Sequence, residues 1–525
     1  MAAARWSRIS FSSACSCAFL TNTPMLDDVR KNVRRAALAL VACFGLIAIA
    51  LGYWQVWRAA DLGQDPANPR IADDRLLLPR GRILDRTGQV LAESQTTQAG
   101  LQRHYADPSL VHTIGFHSDR FGDTDLEAVY AAELSGERSL SPLDRLERQL
   151  FHHQPQPDDL VLTIDKRIHD AAIEALGKSS GAIVVVDPRS GAVLAMASRP
   201  FFDPNAADSQ MPALQGDPSQ PLFNRAIQAL YVPGSTFKTV TATAALDRNL
   251  VDLNQPIMCT TAVKVGSYSV DCKNSQHIPR LTYQQAYAWS SNRVFGLTGL
   301  LLGFPNLAPI NRWLDDNPPG PYPWTENDGS IQASADVLDE YARRFGFGRA
   351  VPFDVPVAVS HIKNPDTPWT PQLLVQTAFG QGELQVTPLQ MALVAATVAN
   401  GGRVPTPYVA AELRRDGSAQ QLHEPGQFFS IASSSEVART MVSFMVEGVD
   451  NGYAAKAAIS GIKVGGKTGT AEVGDGTSHS WFIGFAPADT PRVAVAVIME
   501  HQGSGSDFAT PAAQQVMRLA LSVYK

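Results

Sequence analysis

One long uncharged stretch dominates the N-terminal part of the chain. No charged residue occurs between Ala36 and Trp54, and an apolar run of about 20 residues is what a helix needs to cross the hydrocarbon core of a bilayer. Basic residues just before the run favour the cytoplasmic side, and aromatic residues at its end suit the opposite interface. We therefore predict a cytoplasmic tail over residues 1–35, a transmembrane helix over residues 36–57, and export of everything that follows.

A cleaved signal peptide is the alternative interpretation of this stretch. The run is long and ends in Tyr53 and Trp54 rather than in small cleavage-site residues, which favours an uncleaved anchor. A sequence similar to a lipoprotein cleavage site ends at Cys43, but the apolar run continues well past it.

Beyond the anchor the pattern changes twice. Residues 58–158 mix short strand-like runs with polar, Pro-containing connections, which is typical of a small membrane-proximal spacer domain. A strand-like run then covers residues 160–164, Asp165 begins a helical pattern, and two apolar runs within residues 182–197 flank a turn and predict a buried hairpin. These elements predict one α/β domain over residues 159–525.

Composition narrows the class of protein. The chain has 525 residues, of which 45% are hydrophobic, so two or three domains with sizeable cores are expected. Residues 1–35 carry six basic and two acidic side chains, a charge of about +4, so the remainder carries about −10 of the total of −6. An acidic body lacks the basic face that non-specific binding to phosphates requires, which argues against a nucleic-acid partner.

Cysteine usage fits an exported body. Three of the five cysteines, Cys15, Cys17 and Cys43, fall in the predicted cytoplasmic or membrane part. Cys259 and Cys272 lie outside, where they either pair in a disulfide or remain two separate buried thiols. Their spacing matches no zinc pattern, and we expect neither a metal nor a cofactor.

The first candidate for chemistry is Ser235. It stands in Pro-Gly-Ser-Thr-Phe-Lys just before an Ala- and Thr-rich helical segment, so a spacing of three places Ser235 and Lys238 on one helix face. A serine hydroxyl needs a base within hydrogen-bond reach, and a lysine serves when burial or other cations lower its pKa. Ser-x-x-Lys by itself also fits an ordinary helix cap beside a solvated lysine.

Two further motifs follow in order. Trp-Ser-Ser-Asn places Ser290, Ser291 and Asn292 after a helical stretch, and the Ser-x-Asn spacing selects Ser290 over its neighbour. Gly-Gly-Lys-Thr-Gly-Thr-Ala-Glu, which contains Lys467, precedes a strand-like run at residues 480–485. Small residues around Lys467 would let a substrate backbone lie against a strand edge.

Together the three motifs resemble the signature of penicillin-binding proteins and related β-lactamases. The resemblance covers nearly everything from Arg80 to the C-terminus. Segments similar to the class B, or monofunctional, members are Arg80-Gly81-Arg82-Ile83-Leu84-Asp85-Arg86-Thr87-Gly88, Phe379-Gly380-Gln381-Gly382, Thr387-Pro388-Leu389-Gln390-Met391-Ala392, Ala399-Asn400-Gly401-Gly402 and Trp481-Phe482-Ile483-Gly484-Phe485-Ala486-Pro487. The spacer of about 100 residues has no room for a glycosyltransferase domain, which favours class B over the bifunctional class A.

The resemblance implies a fold and a set of catalytic roles. It implies the serine transpeptidase fold, an antiparallel sheet flanked by helices plus an all-helical subregion, behind a dimerisation or pedestal domain. Ser235 would attack a D-Ala-D-Ala peptide and form an acyl-enzyme with loss of the terminal D-alanine, and Lys238 would take the serine proton. Ser290 would relay a proton to the leaving amine, and the backbone N–H groups of Ser235 and Thr470 would form the oxyanion hole.

Resemblance also implies the substrate-binding residues. Asn292 would hold the peptide, Lys467 would attract its carboxylate, and Thr468 would bind that carboxylate. Gly469 and Thr470 complete this binding strand.

The implied partners are peptidoglycan stem peptides, penicillin and other β-lactams, the membrane, and a polytopic glycan polymerase of the shape, elongation, division and sporulation family. A D,D-carboxypeptidase or β-lactamase would keep the fold but pass the acyl group to water. A β-lactam sensor or scaffold would keep acylation without turnover. For His169, His479 and Glu472 we expect structural rather than catalytic roles.

Overall fold

The computed structural model describes residues 23–54, 58, 79–97, 100–136, 156–272, 275, 277–324, 329 and 331–524. The chain divides into two units, Met1–Arg75 and Leu76–Lys525. The predicted cytoplasmic tail up to residue 22, with Cys15 and Cys17, lies outside the described residues, as does the end of the predicted transmembrane helix at residues 55–57.

The first unit contains one long helix, α1 (Thr23–Gly52). Its segment Asp28–Gly52 is long and apolar enough to cross a membrane, and its side chains are not buried against protein. The helix therefore fits a single-pass membrane anchor. It begins well before the uncharged stretch, because charged residues are compatible with helical backbone outside the hydrocarbon core.

The second unit is an α/β structure. Its described α-helices are α2 (Val111–Ile114), α3 (Asp125–Val129), α4 (Ala131–Leu134), α5 (Lys166–Leu176), α6 (Ala207–Gly216), α7 (Lys238–Asp247), α8 (Tyr283–Ala288), α9 (Asn292–Leu301), α10 (Asn311–Leu314), α11 (Gln332–Arg344), α12 (Pro371–Phe379), α13 (Pro388–Ala399), α14 (Ser435–Asp450) and α15 (Ala509–Val523). Single 3-10 turns cover Pro108–Leu110, Pro204–Ala206, Gly234–Phe237, Pro305–Leu307 and Ala455–Ala457.

The described strands of this unit are β1 (Ile83–Leu84), β2 (Val90–Thr97), β3 (Gly100–Tyr105), β4 (Asp159–Leu162), β5 (Gly181–Val186), β6 (Val193–Arg199), β7 (Ile257–Met258), β8 (Val263–Val265), β9 (Tyr268–Val270), β10 (Arg280–Leu281), β11 (Arg403–Pro405), β12 (Ala410–Arg415), β13 (Ser418–Gln421), β14 (Phe428–Ile431), β15 (Gly465–Glu472), β16 (Ser478–Ala486) and β17 (Val493–Met499). Short pairs β7–β10, β8–β9 and β11–β14 stand apart from two larger sheets.

The central sheet has the order β15-β16-β17-β5-β6 and is antiparallel throughout. The hairpin of β5 and β6 confirms the prediction for residues 182–197, and Asp165 caps α5 by accepting from the backbone N–H of Arg167. Alternate residues of β5 face opposite sides: Val184 joins the core beneath α13, whereas Val185 joins the core beneath α5 and α15. Strand β15 is an edge strand of the central sheet.

A second sheet combines three distant parts of the chain, in the order β13-β12-β4-β1-β2-β3. Strand β4 pairs in parallel with β1 and antiparallel with β12. Ion pairs connect the same three parts of the chain: Arg82 contacts Asp159 at 2.6 Å, and Arg415 contacts Asp158 at 2.5 Å. Residues on both sides of the predicted boundary at position 158 thus share one sheet, and the four predicted domain ranges stay predictions.

Helices α7, α9, α11, α12 and α14 pack on one another and form the helical subregion. The turn Gly234–Phe237 and α14 also contact edge strand β15. The cleft that contains the three sequence motifs is therefore built between the edge of the central sheet and the helical subregion.

Candidate active site

Ser235 lies in the turn Gly234–Phe237, which leads directly into α7. Gly234 has a φ of 57°, and a Cβ on this residue would come 2.7 Å from the carbonyl oxygen of Thr470. Only glycine accepts both the left-handed backbone and so close an approach. The turn that carries Ser235 is thereby held directly against the backbone of strand β15.

Lys238 is completely buried and contacts four oxygen atoms. Its Nζ lies 2.9 Å from Ser235 Oγ, 2.8 Å from the carbonyl oxygen of Ser290, 3.0 Å from Ser290 Oγ and 2.7 Å from Asn292 Oδ1. The carbonyl oxygen of Ser290 and the amide oxygen of Asn292 can only accept hydrogen bonds. A neutral amine that donates its two N–H groups to them has one lone pair left, which accepts a single hydrogen bond. The Ser235 hydroxyl can then donate to Lys238.

The electrostatic surroundings favour this neutral amine. Burial lowers the pKa of Lys238 well below its usual value, and the nearby charge of Lys467 lowers it further. A free lysine would be almost wholly charged at pH 7 and could not accept a proton. The site therefore supplies the condition under which Lys238 can act as a base.

The segment of Ser290 and Asn292 connects two helices. The preceding helix, α8, starts with a capping box, and α9 begins at Asn292 with the side chain of Ser291 accepting from Val294 N–H. Ser290 has a φ of 57°, a left-handed conformation that is strained for a residue other than glycine. Ser290 Oγ lies 3.0 Å from Lys238 Nζ, whereas the side chain of Ser291 caps α9.

Lys467 lies on β15 with its side chain buried. Its Nζ donates to the carbonyl oxygen of Thr468 at 3.1 Å and lies 5.6 Å from the ring centre of Tyr287. Burial lowers the pKa of Lys467 to about 7. A lysine with this pKa changes its charge in the physiological range and attracts an anionic substrate group only while it is protonated.

The rest of the motif completes the edge of the cleft. Thr468 is nearly buried, Thr470 is exposed, and the Thr470 hydroxyl accepts from Gly505 N–H at 3.3 Å. Gly469 has no room for a side chain, because a Cβ would come 2.7 Å from the carbonyl oxygen of Pro233. Since β15 is an edge strand, its outer side is available for an extended peptide to add as a further strand.

Two aromatic rings beside the site were not predicted from the sequence. Phe295 lies under Lys238, with 5.9 Å between its ring centre and Nζ, and Tyr287 lies under Lys467. Both rings are fully buried. The signal was present, since each aromatic residue stands three positions from a residue of the Ser-x-Asn motif, but apolar spacing alone does not show which ring lines a cleft.

The residues for which structural roles were expected lie away from this cluster. His169 is wholly buried with Nε2 3.2 Å from Ser109 Oγ, and His479 Nδ1 accepts from the backbone N–H of His501 at 3.2 Å. Glu472 is exposed at the end of β15.

Cys259 and Cys272 form a disulfide, which settles the two alternatives left by the sequence. The bridge lies near the second motif, because Cys259 Sγ is 3.6 Å from Ser291 Oγ. Within the described parts of the chain, no group of three or more histidine, cysteine, aspartate or glutamate side chains is arranged to hold a metal ion.

Comparison with known proteins identifies the family. Residues 181–518 match the penicillin binding protein transpeptidase domain, and residues 80–160 match the penicillin binding protein A dimerisation domain. The chain is 31% identical over 522 residues to the peptidoglycan D,D-transpeptidase PbpA of Mycobacterium tuberculosis, covering 93% of this chain and 99% of that protein. It is 30% identical to the stage V sporulation protein D of Bacillus subtilis over 84% of this chain and 66% of that protein.

A solved structure agrees with these matches. The imipenem acyl-enzyme complex of penicillin-binding protein A from M. tuberculosis superposes with a TM-score of 0.72 at 29% identity, over 85% of this chain and 99% of that one. The chain therefore belongs to the class B penicillin-binding proteins. The predicted family, fold class and enzyme class, a serine-type D,D-transpeptidase, are confirmed.

Proposed function

We propose that this chain is anchored in the plasma membrane and cross-links peptidoglycan stem peptides through an acyl-enzyme on Ser235. The observation that carries the proposal is the arrangement at Lys238, where two oxygen atoms that can only accept hold the amine and Ser235 Oγ lies 2.9 Å away. The relatives' names and the acyl-enzyme complex support the same chemistry.

In the first half-reaction Lys238 takes the proton of Ser235, and Ser235 Oγ bonds to the carbonyl carbon of the penultimate D-alanine. Backbone N–H groups of Ser235 and Thr470 stabilise the negative charge that develops on the carbonyl oxygen. The bond to the terminal D-alanine breaks, and its nitrogen receives the proton through Ser290 Oγ, which lies 3.0 Å from Lys238 Nζ. The products are free D-alanine and an ester on Ser235.

In the second half-reaction an amine of a neighbouring stem peptide attacks the ester carbonyl. Its proton passes to Lys238 and then to Ser235 Oγ as the ester bond breaks, so the enzyme returns to its starting state. The donor peptide lies along β15, with its terminal carboxylate at Lys467 and Thr468 and its backbone held by Asn292. The absence of a side chain on Gly469 lets the turn that carries Ser235 lie directly against this strand.

The chain's placement in the cell follows from α1. We infer that its N-terminus is cytoplasmic and its catalytic domain extracytoplasmic, because basic residues precede the apolar segment. A polytopic glycan polymerase would supply the glycan strands beside this anchor. To test the topology, alkaline phosphatase is fused to the C-terminus and should be active in cells. To test the partner, the chain is purified in detergent and should copurify with a polymerase of this class.

The decisive experiment compares transfer with hydrolysis. The full chain in detergent receives a peptide ending in D-Ala-D-Ala together with an excess of a D-amino acid, and both products are measured. We expect the transfer product to dominate and Ser235→Ala to form neither product nor a labelled penicillin adduct. Hydrolysis alone would indicate a carboxypeptidase or β-lactamase, and acylation without release would indicate a sensor. An adduct on another serine would refute the assignment of Ser235.

A further inference from the structure

Arg293 follows Asn292 immediately and is the largest fully buried charged side chain near the cleft. Its Nη1 donates to the carbonyl oxygen of Thr261 at 3.0 Å and to Asp316, and its Nη2 donates to the carbonyl oxygen of Asp315 at 2.7 Å. The ion pair with Asp316 is almost inaccessible, with 1% and 7% of the two side chains exposed. So buried a charge needs hydrogen-bond partners, and the two Nη atoms have them, whereas Nε has none among the described residues.

Asp316 is bound from the opposite side by the chain that leads into the disulfide loop. It accepts from the backbone N–H of Thr260 at 3.0 Å and from that of Thr261 at 3.2 Å, and both threonine hydroxyls also donate to it. These donors and Arg293 hold the pKa of Asp316 far below its usual value despite burial. The carboxylate therefore ties residues 260–261 to the first turn of α9.

The two oxygen atoms that hold the amine of Lys238 belong to Asn292, the first residue of this helix, and to Ser290, just before its cap. Ser290 presents its carbonyl oxygen from a strained left-handed conformation, and such a conformation persists only where neighbouring structure fixes it. The backbone N–H of Arg293 donates to the carbonyl oxygen of Asp271 at 3.1 Å, and its guanidinium donates to Asp316, so the chain is fixed directly after Asn292.

We propose that Arg293 and Asp316 are positioning residues for acylation: they hold the carbonyl oxygen of Ser290 and the amide oxygen of Asn292 at Lys238. This inference rests on the proposed function. If the turn moves, the two N–H groups of Lys238 lose their acceptors and the lone pair is no longer aimed at Ser235. A displacement of about 1 Å is enough to lower a rate about a hundredfold.

Lysine cannot replace this arginine. Arg293 uses a planar fork to reach a carboxylate and several carbonyl oxygens at once, whereas an ammonium is a single point charge on a flexible stem. Arg293→Lys thus keeps the charge but loses the geometry. The matched control is Arg103→Lys. The Arg103 side chain is 3% exposed, against 1% for Arg293, contacts Glu127 at 2.7 Å and the carbonyl oxygen of Gly81 at 2.8 Å, and lies in the second sheet.

The experiment measures acylation of the full chain by fluorescent penicillin as a time course. Its amplitude gives the folded fraction, and its rate at saturating penicillin gives the chemical step. For Arg293→Lys we expect that rate to fall at least about tenfold, with half-saturation nearly unchanged, while Arg103→Lys loses amplitude or melting temperature but keeps the rate within about twofold. Thr260→Val, which removes one exposed hydroxyl from Asp316, should give a smaller fall of the same kind.

Wild-type rates in Arg293→Lys, or an equal fall in Arg103→Lys, would overturn the positioning role. If Arg293→Lys does not fold, the test rests on Thr260→Val. An acylation rate of Thr260→Val equal to that of wild type would then refute the proposal. Failure of the proposed function is separate, because it would appear as a labelled Ser235→Ala protein.

Discussion

Ser290 meets Lys238 through two different atoms, its carbonyl oxygen at 2.8 Å and its hydroxyl oxygen at 3.0 Å from Nζ. The first contact belongs to the backbone and survives any substitution that leaves the turn in place. Only the second can carry a proton. Substitution therefore separates the backbone contact, which orients the amine, from the proposed proton relay through the hydroxyl group.

Ser290→Ala should lower the rate of acylation by penicillin by about a hundredfold, because general acid–base groups contribute at least about that much. The control is Ser291→Ala. It removes the cap of α9, which costs about 1 kcal/mol of stability, but leaves the relay intact. Stopped-flow acylation and melting temperatures measure both effects. A larger loss of rate in Ser291→Ala than in Ser290→Ala would show that the relay was assigned to the wrong serine.

Lys238→Arg keeps a cation in the same pocket but fixes the protonated state, because a guanidinium does not deprotonate in proteins. Acylation should fall by at least about a hundredfold, the low end of general-base catalysis. The adduct is counted by mass spectrometry on protein whose folding has been verified by circular dichroism. Acylation near the wild-type rate would mean that another group in the cleft is the base.

The pH profile should depend on Lys467. Its pKa is lowered to about 7, so Lys467 loses its charge as the pH rises above about 7. The second-order rate constant for acylation should therefore decline on the alkaline side, since the carboxylate of penicillin is no longer attracted. Lys467→Arg stays charged, so this decline should disappear even if the maximal rate is lower. A wild-type profile that is flat from pH 7 to about pH 9 would contradict the role of Lys467.

Stability should fall in weak acid because His112 and His169 are buried. Burial lowers the pKa of each from 6.5 to about 4, so between these values the unfolded chain binds more protons than the folded one. The folded state is fully favoured above pH 6.5 and loses up to about 3 kcal/mol per histidine as the pH falls toward 4. Urea unfolding at pH 7 and pH 5 should show a smaller loss for His169→Gln than for wild type. Equal losses would mean that His169 does not titrate on unfolding.

Sequence patterns predicted those features of the fold and the site that depend on residues close together in the chain. The spacing of Ser235 and Lys238 follows helix geometry, and their polar atoms lie 2.9 Å apart. The hairpin of β5 and β6 and the helix that starts after Asp165 also follow from periodicity and turn chemistry, and both are present.

Contacts between residues far apart in the chain could not be predicted from these patterns. Nothing in the residues around Arg293 identifies Asp316 as its partner, because the pair forms only when the first turn of α9 packs against the segment after α10. The left-handed backbone of Ser290 was equally invisible, since serine rarely adopts it and neighbouring contacts impose it. Strand β12 was missed for the same reason: its partner, β4, lies about 250 residues earlier.

The joint between β1, β4 and β12 decides which fragments of this protein can be handled in solution. A fragment that starts at Asp159 keeps β4 but removes β1, and so exposes a row of unpaired backbone groups on a largely buried strand. Such an edge is a template for intermolecular pairing and aggregation. Fragments for crystallisation or inhibitor screening should therefore begin before Arg80, so that β1 remains paired with β4.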